Sequence, residues 1–175
     1  MIMELQGLKP EIANSVFVAP SADIIGDVRI DEESSIWFGV VIRGDVNAIR
    51  IGKRTSIQDL SMIHVTHYTQ EDKSDGFATT IGDDCTIAHR VMLHGCTIED
   101  ACLIGMSATI LDGAIIGKES IVGANALVTK NKMFPPRSLI MGNPAKCIRE
   151  LSDEEVASLY QSARNYVNFK AMYQA

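Results

Sequence analysis

Isoleucine, valine and leucine recur every six residues along most of this chain. From Val18, positions 18, 24, 30, 36 and 42 are Val, Ile, Ile, Ile and Ile; after a step of nine, 51, 57 and 63 are all Ile. After eighteen more, 81, 87 and 93 are Ile, Ile and Leu; after a step of five, 98, 104, 110, 116, 122 and 128 are Ile, Ile, Ile, Ile, Val and Val. A chain that is 46% apolar would rarely fill seventeen positions this way, even with three phase shifts chosen freely. A period of six fits neither a helical face, at about 3.6, nor an alternating strand, at about 2. It fits a solenoid in which each hexad is one short strand and one corner.

The surrounding positions agree. Two residues before the apolar one the side chain is usually small or β-branched, as at Ala22, Thr55, Ser61, Thr79, Cys85, Cys96, Cys102, Ala108, Ala114, Ser120 and Ala126. The residue after it is often Gly, which suits a sharply turning backbone. Three hexads close a triangular coil of about 18 residues, with coils stacked roughly 4.8 Å apart. The pattern resembles the left-handed β-helix of the hexapeptide-repeat superfamily, and the left-handedness rests on that resemblance.

The expected fold is therefore an all-β solenoid, a left-handed parallel β-helix of hexapeptide repeats, within a single domain over residues 1–175. The helix of strands spans about 10–145 and extrudes a polar loop at 66–79, across which the phase is kept. Past Val128 the repeat fades into KNKMFPP, a short apolar run at Leu139 to Met141 and the turn GNPAK. A C-terminal α-helix follows over about 152–173, with Ser152 as N-cap and Glu155 closing a capping box. Val156, Leu159, Tyr160, Ala163, Tyr166 and Val167 form its apolar face, directed back onto the prism.

Composition excludes several function classes. Sixteen basic and 22 acidic side chains, without a basic run, leave no electrostatic footprint for nucleic acid. No signal peptide and no run long enough for a membrane span is visible, which makes the cytoplasm the expected compartment. Cys85, Cys96, Cys102 and Cys147 contain no C-x-x-C pair and read as reduced thiols.

Counting places the histidines on the solid. Hexads beginning at 51, 57 and 63 define a first, second and third face, and 81, 87 and 93 repeat them once the loop is removed. His64 follows Ile63 and His94 follows Leu93, so the two occupy one slot in successive coils. They point outward roughly 4.8 Å apart, near enough to share an ion. His89, two residues after Ile87, lies on the second face, away from that pair. The three meet only where the second face of a neighbouring subunit abuts the third face of this one. Three neutral imidazoles around an open position form a catalytic zinc set, and a closed head-to-tail ring of triangular prisms is threefold. Arg43 falls below His64 if the step from 42 to 51 is one enlarged corner, and Asp59 falls one coil below His89. Arg43 and Asp59 can then pair across the subunit boundary, and Gln58 is a neutral group able to hydrogen-bond water on the metal. His67, at the loop mouth, reads as an ordinary surface residue.

VIRGD at 41–45, IQD at 57–59, His64, AHRVMLHGCTI at 88–98 and GNPAK at 142–146 together make the chain similar to the gamma class of carbonic anhydrases and their bacterial relatives. The resemblance runs from about residue 10 to the final helix. It implies a homotrimer with zinc, or alternatively iron or cobalt, at each interface, bound by His64 and His94 of one chain and His89 of the next. It implies reversible hydration of carbon dioxide to bicarbonate by hydroxide generated at the metal, a carbonate dehydratase lyase activity. Arg43, Asp45 and Asp59 match the family's interface network, and Gln58 matches the glutamine beside the metal-bound water. The chain departs from the family pattern after the RxD motif, where Val46 replaces an acidic residue, and in a shorter loop whose acids are Glu71, Asp72 and Asp75. Weak turnover is the expected consequence. Two other classes fit parts of the pattern: a non-catalytic metal-binding interaction module, and a hexapeptide-repeat acyltransferase with a histidine general base beside a coenzyme A groove.

Overall fold

A computed structural model describes residues 1–72 and 74–174; most hexads fold as a strand of two or three residues followed by a corner, and in Asp23–Ile30 and Val41–Ile51 the strand runs on through the corner. The chain winds as a left-handed parallel β-helix with one C-terminal α-helix. Its core is three columns of aliphatic side chains inside the prism. Ile12, Ile30, Ile51, Ile81, Ile98, Ile116 and Phe134 stack on the first face. Val18, Ile36, Ile57, Ile87, Ile104, Val122 and Ile140 stack on the second. Ile24, Ile42, Ile63, Leu93, Ile110 and Val128 stack on the third. Apart from Ile12 and Val18, every member is buried, and each such side chain stabilises the fold by about 1.5–3 kcal/mol through removal from water.

The repeat does not fade at Val128. Phe134 and Ile140 keep the spacing of six, Phe134 pairing above Ile116 and Ile140 above Val122. An aromatic residue followed by two prolines disguises this coil in the sequence, because Pro135 and Pro136 form its corner. An antiparallel hairpin, Ser138–Gly142 with Ala145–Glu150, then leads the chain away.

Corners are the costly part of such a solenoid. Arg54, Leu60, Asp84, Arg90, Ser107, Asn125 and Asn131 all adopt left-handed backbone conformations there, each costing roughly 1 kcal/mol or more outside glycine. Stacked hydrogen bonds offset this. Thr55 Oγ1 donates to Gly82 O at 2.8 Å and accepts from Cys85 N at 3.0 Å, linking successive coils. Cys85, Cys96 and Cys102 are buried in such corners as free thiols, and Cys147 is free and exposed. Burial pushes the Cys85 thiol well up and Cys96 to about 12, which leaves them protonated packing groups.

All three irregular steps fall between the third face and the first. Ile42 and Ile51, nine apart, are joined by one continuous strand, Val41–Ile51. Ile63 and Ile81 enclose the loop, whose neck is closed by Thr66 pairing with Phe77; regular strand resumes at Thr79. Leu93 and Ile98, five apart, enclose the shortened corner His94-Gly95, where Gly95 has φ +59°.

The α-helix, Asp153–Ala171, begins at the Ser152–Glu155 capping box. It lies on the second face, burying Leu159 and Ala163, with Ser162 bonded to Thr86 at 3.0 Å and Tyr160 donating to Glu119 at 2.9 Å. Lys170 is also buried, an outcome not foreseen from the sequence; its ammonium donates to Ser15 O at 2.6 Å and pairs with Glu33 at 3.1 Å. Among the described residues no helix is long and apolar enough to cross a membrane.

Candidate metal centre

The ladder between Met62–His64 and Met92–His94 runs in register, with His64 directly opposite His94. Their rings converge, His64 Nδ1 lying 3.1 Å from His94 Nε2. Each ring is held from behind by a carboxylate. Asp45 Oδ1 lies 3.0 Å from His64 Nε2, and Asp112 Oδ1 lies 2.5 Å from His94 Nδ1. A carboxylate accepts, so each imidazole directs its N–H backward and its lone pair forward.

This leaves two acceptor nitrogens facing each other. Neutral imidazoles so arranged repel unless a proton or a cation lies between them. Protonation is opposed at His64, where burial lowers the pKa and the nearby Arg43 charge adds to the effect, against an opposing hydrogen bond from Asp45. Two nitrogens bound tetrahedrally to zinc at about 2.0–2.1 Å are separated by roughly 3.3 Å. The observed separation fits.

Arg43 sits one coil below His64, as the pairing of Ile42 with Ile63 requires. Its guanidinium bonds the second oxygen of Asp45. Burial would push the Asp45 carboxyl up, but the hydrogen bonds from His64 and Arg43 prevail and hold it below the ordinary range.

His89 belongs to a separate half-site. Ile87 pairs with Ile57, which puts Asp59 one coil below His89, and Asp59 Oδ2 lies 2.8 Å from His89 Nδ1. The Nε2 edge is left available, and the side chain is 47% exposed. Gln58, on the same face, is buried and hydrogen-bonded to Tyr166 of the α-helix. Within one chain Arg43 bonds Asp45 and Asp59 bonds His89, so these two residues do not pair with each other. Among the described residues, no group of three metal-ligating side chains comes together. One chain thus presents two histidines on one face and a third, equally supported, on another.

Asp112 escaped the sequence reading. In L-D-G it looks like an ordinary turn aspartate, and only the corner count, two residues after Ile110 in the column of Leu93, could have found it. Two of the three loop acids are otherwise engaged: Asp75 accepts from the amides of Thr69 and Gln70, and Asp72 from that of Ser74. A cavity of about 430 Å³ beside Asp45 is lined instead by Asn47, His67 and Tyr68, together with Val46.

A family model described as bacterial transferase hexapeptide (six repeats) matches residues 95–130. A hexapeptide transferase family protein from Anaplasma phagocytophilum superposes with a TM-score of 0.90 at 35% identity, over 98% of this chain and 97% of that one. The chain is 44% identical over 172 residues to gamma carbonic anhydrase 2, mitochondrial, of Arabidopsis thaliana, covering 98% of this chain and 61% of that protein. It therefore spans less than two thirds of that relative's length. It is 42% identical over 175 residues to the carbonic anhydrase of Geobacillus kaustophilus, covering 100% of this chain and 92% of that one. The transferase name follows a repeat that serves many chemistries, and these two relatives match at higher identity than the Anaplasma phagocytophilum protein along nearly the whole chain. The chain belongs to the gamma carbonic anhydrase family.

Proposed function

We propose that the protein is a metal-dependent carbonic anhydrase that interconverts carbon dioxide and bicarbonate at a site between subunits of a homotrimer. The observation that carries this reading is the pair of forward-facing nitrogens on His64 and His94, each backed by a buried or half-buried aspartate. His64 and His94 of one subunit and His89 of its neighbour would hold the cation. Zinc suits three imidazoles, with iron or cobalt as alternatives. A divalent cation held there supplies Lewis acidity, enough to ionise water near neutral pH.

The chain's own groups do the rest. Asp45, Asp112 and Asp59 fix the three rings, and Arg43 keeps Asp45 an acceptor. Gln58, anchored by Tyr166, offers an amide on the face that carries His89, where it orients water or a substrate oxygen. Release of a proton to solvent is the weakly provided step. Asp72 and Asp75 are committed to the loop's own hydrogen bonds, and Val46 carries no titratable group. Slow turnover with secure metal binding follows.

The test uses protein purified without oxygen, with metal measured before assay. Close to one metal per chain, a trimer in sedimentation, and carbon dioxide hydration lost on chelation and restored by the metal are expected. Gln58→Ala should keep its metal and lose hydration. A metal-loaded monomer would defeat the shared site, and a fully loaded trimer without hydration would leave a non-catalytic metal-binding module.

A further inference from the structure

Asp112 is a buried carboxylate, only 4% exposed, on an otherwise ordinary corner. Removing such a group from water is costly unless charged or strong donors surround it. Three do. His94 Nδ1 approaches one oxygen at 2.5 Å, Lys130 Nζ approaches the other at 2.9 Å, and the Thr66 hydroxyl adds a hydrogen bond from the loop neck. His94, Asp112 and Lys130 occupy one corner in three successive coils, because Leu93, Ile110 and Val128 stack in register.

The backbone is shaped to admit this contact. At Gly95 a Cβ would lie 2.7 Å from Asp112 Oδ1 and 2.6 Å from the Phe77 Cβ. The shortened step from Leu93 to Ile98 and the left-handed glycine inside it therefore open the gap through which the carboxylate reaches the ring. A surface ion pair with Lys130, itself 66% exposed, would contribute little to stability and would not call for such a corner.

We infer that Asp112 and Lys130 form a positioning pair that fixes the tautomer and orientation of His94. Lys130 occupies one carboxylate oxygen with a donor, leaving the other to accept from Nδ1–H. Nε2 is then bare and aimed at His64 Nδ1. Without Asp112 the ring could carry its hydrogen on either nitrogen and turn about its side-chain bonds. The inference rests on the metal-dependent reading of the site and deepens it, since ring position is set by the group behind a ligand as much as by the ligand.

The experiment has two arms. In metal-free protein, nitrogen NMR of labelled histidine reports which ring nitrogen of His94 carries hydrogen. Wild type should show hydrogen on Nδ1, and Asp112→Ala should show a mixture or the opposite tautomer. In the second arm zinc affinity is measured by competition with a chromophoric chelator. Asp112→Ala should bind about 10–100-fold more weakly, and Lys130→Ala should fall between it and wild type. Asp112→Asn fills the same volume without the charge; it serves if the alanine variant does not fold, and should also weaken zinc binding. An unchanged His94 tautomer together with zinc affinity within twofold of wild type would overturn the inference. If wild type itself takes up no zinc, the metal reading fails, and the tautomer arm alone decides whether the pair positions His94.

Discussion

Two variants, each unable to bind metal, should rebuild sites when mixed. The first carries His64→Ala and His94→Ala, which empties the third face but leaves His89 and Asp59 intact on the second. The second carries His89→Ala alone, leaving the in-register pair. Every interface of either homotrimer then lacks ligands. In a closed head-to-tail ring, any trimer containing both chains has one junction where an intact third face meets an intact second face. Random assembly from equal amounts makes three-quarters of the trimers mixed, so about a quarter of all interfaces regain a full set of ligands. The assay is to unfold both variants, mix, refold with zinc, remove loose metal and measure zinc per chain, with mass spectrometry to confirm mixed trimers. Recovery near a quarter of the wild-type content is expected. Recovery no greater than in the separate variants, in a population shown to be mixed, would refute the shared site.

Two further outcomes concern the scaffold. Ile104 is fully buried between Ile87 and Val122 in a ladder that cannot collapse around a void. Ile104→Ala should lower unfolding free energy by about 2–5 kcal/mol in urea titration, and a loss below about 1 kcal/mol would show that the column is not tightly packed. In the loop, hydrogen bonds led by the Thr69 hydroxyl hold the Asp75 carboxyl down to about 2. Because the folded pKa is depressed, the contribution of this contact is present above the ordinary carboxylate value of about 3.9 and is lost as pH falls toward 2. The amide shifts of Thr69 and Gln70 should stay flat through pH 4 and move only below it; a midpoint near 4 would show that the contact is absent.

Much of this architecture is legible by counting. A period of six assigns each residue a coil and a face, so the opposition of His64 to His94 and of Asp59 to the His89 coil follows from arithmetic alone. What counting misses is contact that depends on a corner's depth or on the helix. Asp112 carries no motif; counting places it in the column of Leu93, but its contact with His94 shows only where the shortened corner at Gly95 lets the carboxylate approach. Gln58 reads as an outward residue until Tyr166 covers it. Phe17, Trp37 and Tyr173 are scattered in sequence yet form a ring cluster beneath the helix, with Phe17 and Trp37 centroids 5.3 Å apart and Trp37 and Tyr173 centroids 5.2 Å apart. Lys170 looks like a solvated helix end, and is buried because the carbonyl of Ser15 and the carboxylate of Glu33 wait for it.

The nine-residue step, the loop and the five-residue step share one edge of the prism, and this divides the molecule into a ruler and a margin. Two edges and three faces keep strict measure, so an error of length there would shift every later side chain. The third edge absorbs surplus or deficit locally, because the next strand always returns to the ladder below it. Chain can be lengthened, shortened or rewritten along that margin while distant coils keep their addresses. The histidine pair and its aspartates lie along it, where chemistry can be revised without recomposing the fold.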